Sequence, residues 1–563
     1  MKKIFKIKFS KPKKMRRILL ISSFIIALCI GFVGQILAKN KIPAFWTDGK
    51  FEIYNYYYGK INDTAYWFRF TDISENEAKG EYFTLTNTTI YADLKEFSFK
   101  KNKKNYILNF DNRSLDLKIE ANVSNNGFVL KCSKLKSKFL FFKKYVFLGN
   151  YSFKKYSKPD FKTFPNRYKE EIFSDITVLK DVEYGKAEGY WTSYNTGSDR
   201  YLNVLVKGFL SSLFKETLSL KMDIYMPKTD ELAKRPLIMF IHGGAFYIGD
   251  KEVETMVEMC KYFAKRGYVC ASINYRLGFK VAKASIERAG YRAIQDGHAA
   301  LRFLVNKSET YKINPDYIFV GGSSAGGITA LNLAFMRNKN RPETSKKSFL
   351  YSDLGDIETD GNTLKDKFEI KAVINMWGAV NNLEMIDNSK ASVISFHGDK
   401  DDVVPIDHGH PFQDIKVGVN SLFLNKTYGS LPIHIKLKEN ANREFLHIFE
   451  GLGHSLNVDE NDKINKNFYT ICDESKDFLY EEIVPKSWGI FSIPPTLTNR
   501  ALSLYEAKAS GVKDYFWDID GGIIISTDKN KVRVVWFKEA DKHVLKLSFI
   551  TELNAGFYSE YEF

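Results

Sequence analysis

The sequence predicts an α/β protein. A doubly wound, mostly parallel sheet carries the chemistry, flanked by an N-terminal β-rich domain and a C-terminal β-sandwich. Three observations predict it. From about residue 172, apolar runs alternate with amphipathic helical stretches, the pattern of a parallel sheet covered on both faces. One such run, Tyr317-Ile318-Phe319-Val320, leads directly into Gly322-Ser323-Ser324-Ala325-Gly326-Gly327 and then into the helical stretch Ile328 to Ala334. The regions on either side alternate with period two, as half-buried strands do.

At 563 residues the chain has room for about three or four domains, and 44% hydrophobic content is ample for packed cores. A net charge of +16 raises the question of nucleic acid. The basic residues form no stripe beside stacking aromatics, and nine of them fall in the first seventeen positions, which hold no acid. The excess is therefore a basic leader on a lysine-rich background, and no nucleic-acid partner is expected. Ile18 to Ala38 is nearly all apolar. With its basic flank, residues 1–38 read as a signal peptide or a single N-terminal membrane anchor, and Ile36-Leu37-Ala38 offers a cleavage point. The flank keeps the N-terminus in the cytoplasm, so everything after Ala38 is expected outside, secreted, on the cell surface or anchored. Cys29, Cys132, Cys260, Cys270 and Cys472 make no CxxC or metal-ligand spacing. Cys260 and Cys270 are expected as separate buried thiols.

Residues 39–165 are dense in Tyr, Phe, Lys and Asn, with alternating segments such as Tyr82 to Thr86 and Leu115 to Ile119. They read as a β-rich domain whose aromatics pack a core. The catalytic region spans 172–485. Ser219 to Tyr225 is a strand ended by Pro227, and Pro236 to Ile241 is a continuous apolar run suited to a strand buried on both faces. Glu254 to Arg266 is an amphipathic helix, Val269 to Tyr275 a strand, and Glu287 to Asn306 a helix.

Gly-x-Ser-x-Gly between strand and helix is the arrangement of a nucleophile elbow. A sharp turn lifts Ser324 above the sheet, and Gly322 and Gly326 remove side chains that would collide there. His242-Gly243-Gly244-Ala245-Phe246 follows a buried strand. The backbone N–H groups of Gly244 and Ala245, with that of Ala325, are the candidate oxyanion donors. Ser392 to Gly398 is a strand ending in Asp399-Lys400-Asp401-Asp402, where three aspartates compete to be the acid; Asp401 comes first and Asp402 second. Arg443 to Phe449 is a strand followed by Gly451-Leu452-Gly453-His454. A glycine-rich loop delivers an imidazole over the sheet, and its pKa suits a general base, so His454 is the candidate and His447 an ordinary strand residue. His408 and His410 lack a spaced ligand set, and neither metal nor cofactor is expected. The order Ser324, Asp401, His454 is that of α/β-hydrolases.

His242 to Phe246, Asn274-Tyr275-Arg276-Leu277, Asp296 to Phe303, Asn314-Pro315-Asp316 and Gly321 to Gly327 together resemble the carboxylesterase and feruloyl-esterase-like branch of the α/β-hydrolases. His397-Gly398 through Pro405 resembles the acid loop of that family, whose acid aligns with Asp401, and Gly451 to His454 resembles its histidine loop. The resemblance implies ester hydrolysis without a cofactor on small-molecule or glycan-linked esters. A serine peptidase of the same fold, or a surface binding protein on a hydrolase scaffold, are the alternatives. The polar segment 341–367 is expected as a surface insert near the mouth of the site. Residues 488–563, with strands around Gly521-Gly522, resemble a PKD-like, immunoglobulin-type β-sandwich module.

Overall fold

The structure, a computed structural model, describes residues 56–61, 64–73, 77–85, 91–92, 95–102, 105–110, 113–124, 127–139, 142–194, 215–280, 283–411, 425–484, 489–493, 503–537 and 540–563. The expected leader, 1–38, lies outside the described residues. Among the described residues no helix is long and apolar enough to cross a membrane. The chain divides into two compact units. Residues 164–486 with 550–556 form one, and the remaining β-rich regions fall in the other.

The first unit is built on eight strands. They are β1 (Ile176–Gly189), β2 (Glu216–Pro227), β3 (Arg235–Ile241), β4 (Val269–Ile273), β5 (Ile313–Ser323), β6 (Ile370–Met376), β7 (Ser392–Gly398) and β8 (Glu444–Phe449). The spatial order is β1-β2-β4-β3-β5-β6-β7-β8. Only the β1–β2 and β2–β4 pairs are antiparallel; every later pair is parallel. Among the described residues, five helices of ten residues or more cover it: α1 (Glu254–Ala264), α2 (Lys283–Asn306), α3 (Ala325–Phe335), α4 (Ser430–Glu439) and α5 (Lys466–Ile483).

Burial explains the sequence pattern. All residues of β3, β4 and β7 are buried, so these strands are continuous rather than alternating in hydrophobicity. α1 buries Met256, Met259, Cys260, Phe263 and Ala264, the i, i+3, i+4, i+7, i+8 stripe of a helix lying on a sheet. Each fully buried side chain the size of Met or Phe contributes about 1.5–3 kcal/mol. Cys260 and Cys270 are buried free thiols. α3 is buried on almost every residue, which its Ala- and Leu-rich sequence permits.

Segment 341–367 corrects an expectation, because no residue in it lines the cleft over Ser324. It runs along α2 instead. Arg288 donates to Thr344 O and Ser352 O at 2.7 Å each, Gln295 Nε2 to Leu354 O at 2.7 Å and Arg302 to Asp360 O at 2.9 Å. Its backbone carbonyls thus answer buried donors on a helix, as carbonyls outside helices and sheets must find partners elsewhere.

In the second unit, eight antiparallel strands between Tyr56 and Lys155 close into a barrel. The first strand closes on the last, Tyr57 opposite Lys155 and Tyr58 opposite Lys154. Closure leaves no sheet edge to pair with other chains. The C-terminal region forms two sheets. Gly489–Ile493, Ser503–Lys508, Gly522–Asp528 and Lys531–Phe537 make one, and Tyr91–Ala92 pairs with the last of these strands. Val512–Asp520, Val544–Thr551 and Gly556–Glu562 make the other. Trp517, Val532, Val534, Trp536, Leu545 and Leu547 share one core.

Candidate active site

The site begins where β5 turns into α3. Ser324 sits at φ 55°, ψ −120°, backbone that a side-chain-bearing residue adopts only when its surroundings hold it. Its N–H donates to Met376 O at 2.9 Å, and its carbonyl accepts from Ile328 N at 2.9 Å to open α3. A Cβ on Gly326 would lie 2.0 Å from Ile241 O, and one on Gly322 would lie 2.4 Å from Gly326 O. Strand, turn and helix therefore approach more closely than any residue but glycine allows.

The partners arrive from the loops after β7 and β8. His454 Nε2 lies 2.9 Å from Ser324 Oγ, and His454 Nδ1 lies 2.8 Å from Asp401 Oδ2. Asp401 Oδ1 accepts from the N–H groups of Val403 (2.9 Å) and Val404 (2.8 Å). Burial pushes the Asp401 carboxyl up, but the hydrogen bonds from His397 and His454 outweigh it and hold the group well below the usual carboxylate range. It remains an anion at the pH where an imidazole titrates. The other two aspartates go elsewhere: Asp402 is exposed, and Asp399 accepts from Gly451 N at 2.6 Å. Of the other histidines, His447 meets Glu474 at 2.9 Å, and His408 stacks on Tyr428.

The third part is the loop after β3. Gly244 (φ 104°) and Ala245 (φ 53°) reverse the chain, and Gly244 O accepts from Tyr247 N and Ile248 N at 2.9 and 3.0 Å. The Ala325 N–H belongs to the first turn of α3, where N–H groups have no intrahelical acceptor. Tyr275 braces the loop from beneath, its hydroxyl donating to His242 O at 2.9 Å while its ring stacks on His242 at 4.5 Å. Burial pushes the His242 imidazole down to about 4, so it is neutral there. Trp191 adds a donor from outside, Nε1 to Tyr247 O at 2.8 Å.

A cleft of 1760 Å³ opens over Ser324. Trp377, at φ 43°, lines it beside the site, its ring edge-on to His454 at 6.1 Å. The rest of the lining is mixed, with Asp250, Asp462 and Lys463 beside Tyr247, Ile248 and Val458. The Gly-Ser and Gly-His patterns find the loops. No motif points to Trp377; Tyr275 lies in the Asn274 to Leu277 stretch of the family resemblance, but nothing in that stretch shows that it braces the loop.

The arrangement suits acyl transfer through a serine. Residues 222–392 match the sequence model of the BD-FAE family. The 1-2-4-3-5-6-7-8 sheet and the elbow fit an α/β-hydrolase fold, and the matched segment makes this part of the chain similar to that esterase family. It is similar to gut esterase 1 of Caenorhabditis elegans, 31% identical over 23% of this chain and 23% of that protein. It is also similar to the para-nitrobenzyl esterase of Bacillus subtilis, 31% identical over 21% of this chain and 24% of that protein. The chain thus spans about a quarter of the length of these curated relatives. Among solved structures it is similar to a thermophilic esterase of the Planctomycetes species Thermogutta terrifontis. That likeness is 22% in sequence, covers 47% of this chain and 90% of that one, and has a TM-score of 0.32.

Proposed function

We propose that the chain is a serine carboxylic-ester hydrolase working through an acyl-enzyme. One observation carries the reading: Asp401, His454 and Ser324 stand in a single hydrogen-bonded line, 2.8 and 2.9 Å between partners, at the ends of three different strands. His454 Nε2 takes the Ser324 proton as Oγ bonds to the ester carbonyl carbon. The carbonyl oxygen becomes an oxyanion and accepts from the N–H groups of Gly244, Ala245 and Ala325. Collapse breaks the C–O bond to the alcohol, which leaves with the proton held by His454. Water, deprotonated by the same nitrogen, then attacks the acyl carbon; the bond from that carbon to Ser324 Oγ breaks, the carboxylic acid leaves, and Oγ takes back the proton from His454. Asp401 keeps the imidazole oriented and balances its positive charge throughout.

The polar part of the cleft's lining supports an alcohol part rich in hydroxyls, as in a glycan-linked ester, because the carboxylates of Asp250 and Asp462 can accept from a hydroxyl and Lys463 can donate to one. Export through residues 1–38 belongs to the same proposal, and processing of that segment in cells is its separate check. The test is turnover of short-chain and feruloyl p-nitrophenyl-type esters by the full chain, beside Ser324→Ala. A fall of about 10⁶-fold in kcat is expected in the variant. Turnover retained in Ser324→Ala, or a folded wild-type chain that cleaves peptide amides and no ester, overturns the reading.

A further inference from the structure

We infer that His397 is a positioning residue of this site, one that holds the acid loop so that Asp401 faces His454. The inference rests on the ester-hydrolase reading above. His397 is the penultimate residue of β7, and its side chain is fully buried. Its Nε2 lies 2.8 Å from Val404 O and 3.4 Å from Asp401 Oδ2, and its Nδ1 lies 2.7 Å from Ser430 Oγ.

Proton bookkeeping fixes what this imidazole does. Asn375 Oδ1 accepts from Gly378 N at 2.9 Å, so Asn375 Nδ2 is the donor end of that amide. That nitrogen donates to Ser430 Oγ at 2.9 Å and to Ser395 Oγ at 3.0 Å. Ser430 Oγ has received one hydrogen bond, and its own hydrogen is free for His397 Nδ1. A neutral imidazole accepting at Nδ1 carries its proton on Nε2, which donates to Val404 O. Every polar atom of the imidazole then has a partner, as a buried group requires.

Val404 is therefore gripped twice. Its N–H donates to Asp401 Oδ1 and its carbonyl accepts from His397. This fixes the rotation of the Asp401 carboxylate and leaves Oδ2 turned to His454. The same chain of bonds runs through Ser430 and Asn375 to the end of β6, where Met376 O holds the N–H of Ser324. Acid loop and nucleophile thus share one buried scaffold. The charged or titratable groups facing His397 and its loop are Asp401 and, beyond it, His454; Asp399 and Asp402 of the same loop are exposed.

The test pairs His397→Leu with His397→Gln in the full chain, with folding checked by circular dichroism. The Gln amide reaches where Nε2 stands and can donate to Val404 O; Leu cannot. A carboxylate free to turn stabilises the His454 imidazolium less. The Leu variant should therefore lose about 10²-fold in kcat with KM little changed, and the acidic limb of its kcat/KM profile should move to lower pH. The Gln variant should keep turnover within about threefold and leave the limb in place. If the Leu variant fails to fold, Ser430→Ala takes its place. It removes the donor to Nδ1, releases the tautomer, and should move the limb the same way with a smaller loss. Equal losses in Leu and Gln with an unmoved limb, or wild-type kinetics in Leu, overturn the inference. Turnover surviving in Ser324→Ala sinks the hydrolase reading itself, which is a separate outcome.

Discussion

The nucleophile turn and the acid loop meet at one imidazole and are built by opposite means. The turn is made by taking side chains away: Gly322 and Gly326 let backbones touch, and Ser324 is forced to a positive φ by that crowding. The acid loop is made by adding polar side chains, with His397, Ser430 and Asn375 supplying the bonds that hold Val404 and, through it, Asp401. It has a crowded glycine too, Gly398, whose Cβ would lie 2.2 Å from Leu452 O, but its carboxylate is aimed by hydrogen bonds. A steric turn tolerates no addition. A polar loop tolerates no deletion.

The largest effect expected from this contrast is on the polar side. Asp401→Asn leaves the volume unchanged but removes the charge and the acceptor, and kcat should fall by about 10⁴-fold. Asp402→Asn and Asp399→Asn, one residue or two away, should stay within about twofold, because neither side chain bonds His454. Steady-state kinetics on one ester decides it, and a comparable loss in Asp402→Asn would reassign the acid. On the steric side, Gly326→Ala should destabilise the catalytic unit by on the order of 3 kcal/mol, since the added methyl meets backbone that cannot rotate away. Gly453→Ala, whose Cβ would find only Lys400 O at 3.5 Å, should change stability by less than about 0.5 kcal/mol. Thermal unfolding of the two variants side by side would blunt the contrast if both fell equally.

The smallest expected effect is in pH. Burial pushes His242 down to about 4 and His298, with help from Arg302 and Arg337, down to about 3. Both are neutral when folded and take up protons near 6.5 when unfolded. Unfolding then binds up to about two protons, so stability is full above pH 6.5 and declines as pH falls from 6.5 towards 4. His298→Phe should make that decline shallower by about one proton, read from unfolding midpoints between pH 7 and 5. An unchanged slope would show that His298 does not carry the effect.

Much of the site was legible because catalysis places its residues where sequence is most explicit, in glycine-bearing loops directly after apolar strands. Ser324, His454 and the neighbourhood of Asp401 all follow that pattern. The choice among Asp399, Asp401 and Asp402 was not, because three adjacent turn residues differ only in where their side chains end. His397 read as a strand residue, and its buried bond to Ser430 depends on a helix more than thirty positions away in sequence. Segment 341–367 was misplaced for a related reason: an irregular polar stretch shows no period to reveal what it lies against. The N-terminal alternation announced strands, but closure of the barrel rests on Tyr57 meeting Lys155, a pairing no local pattern encodes.

Residues 550–556 belong with the unit that holds the site, although sixty-three residues separate them from its other end at Lys486. Tyr168, buried at the start of that unit, donates its hydroxyl to Leu553 O at 2.9 Å. A chain still emerging from the ribosome has Ser324, Asp401 and His454 long before it has Leu553. The body that carries the proposed chemistry is therefore incomplete until Leu553 has been made, and a chain cut after Lys486 lacks the acceptor of the Tyr168 hydroxyl.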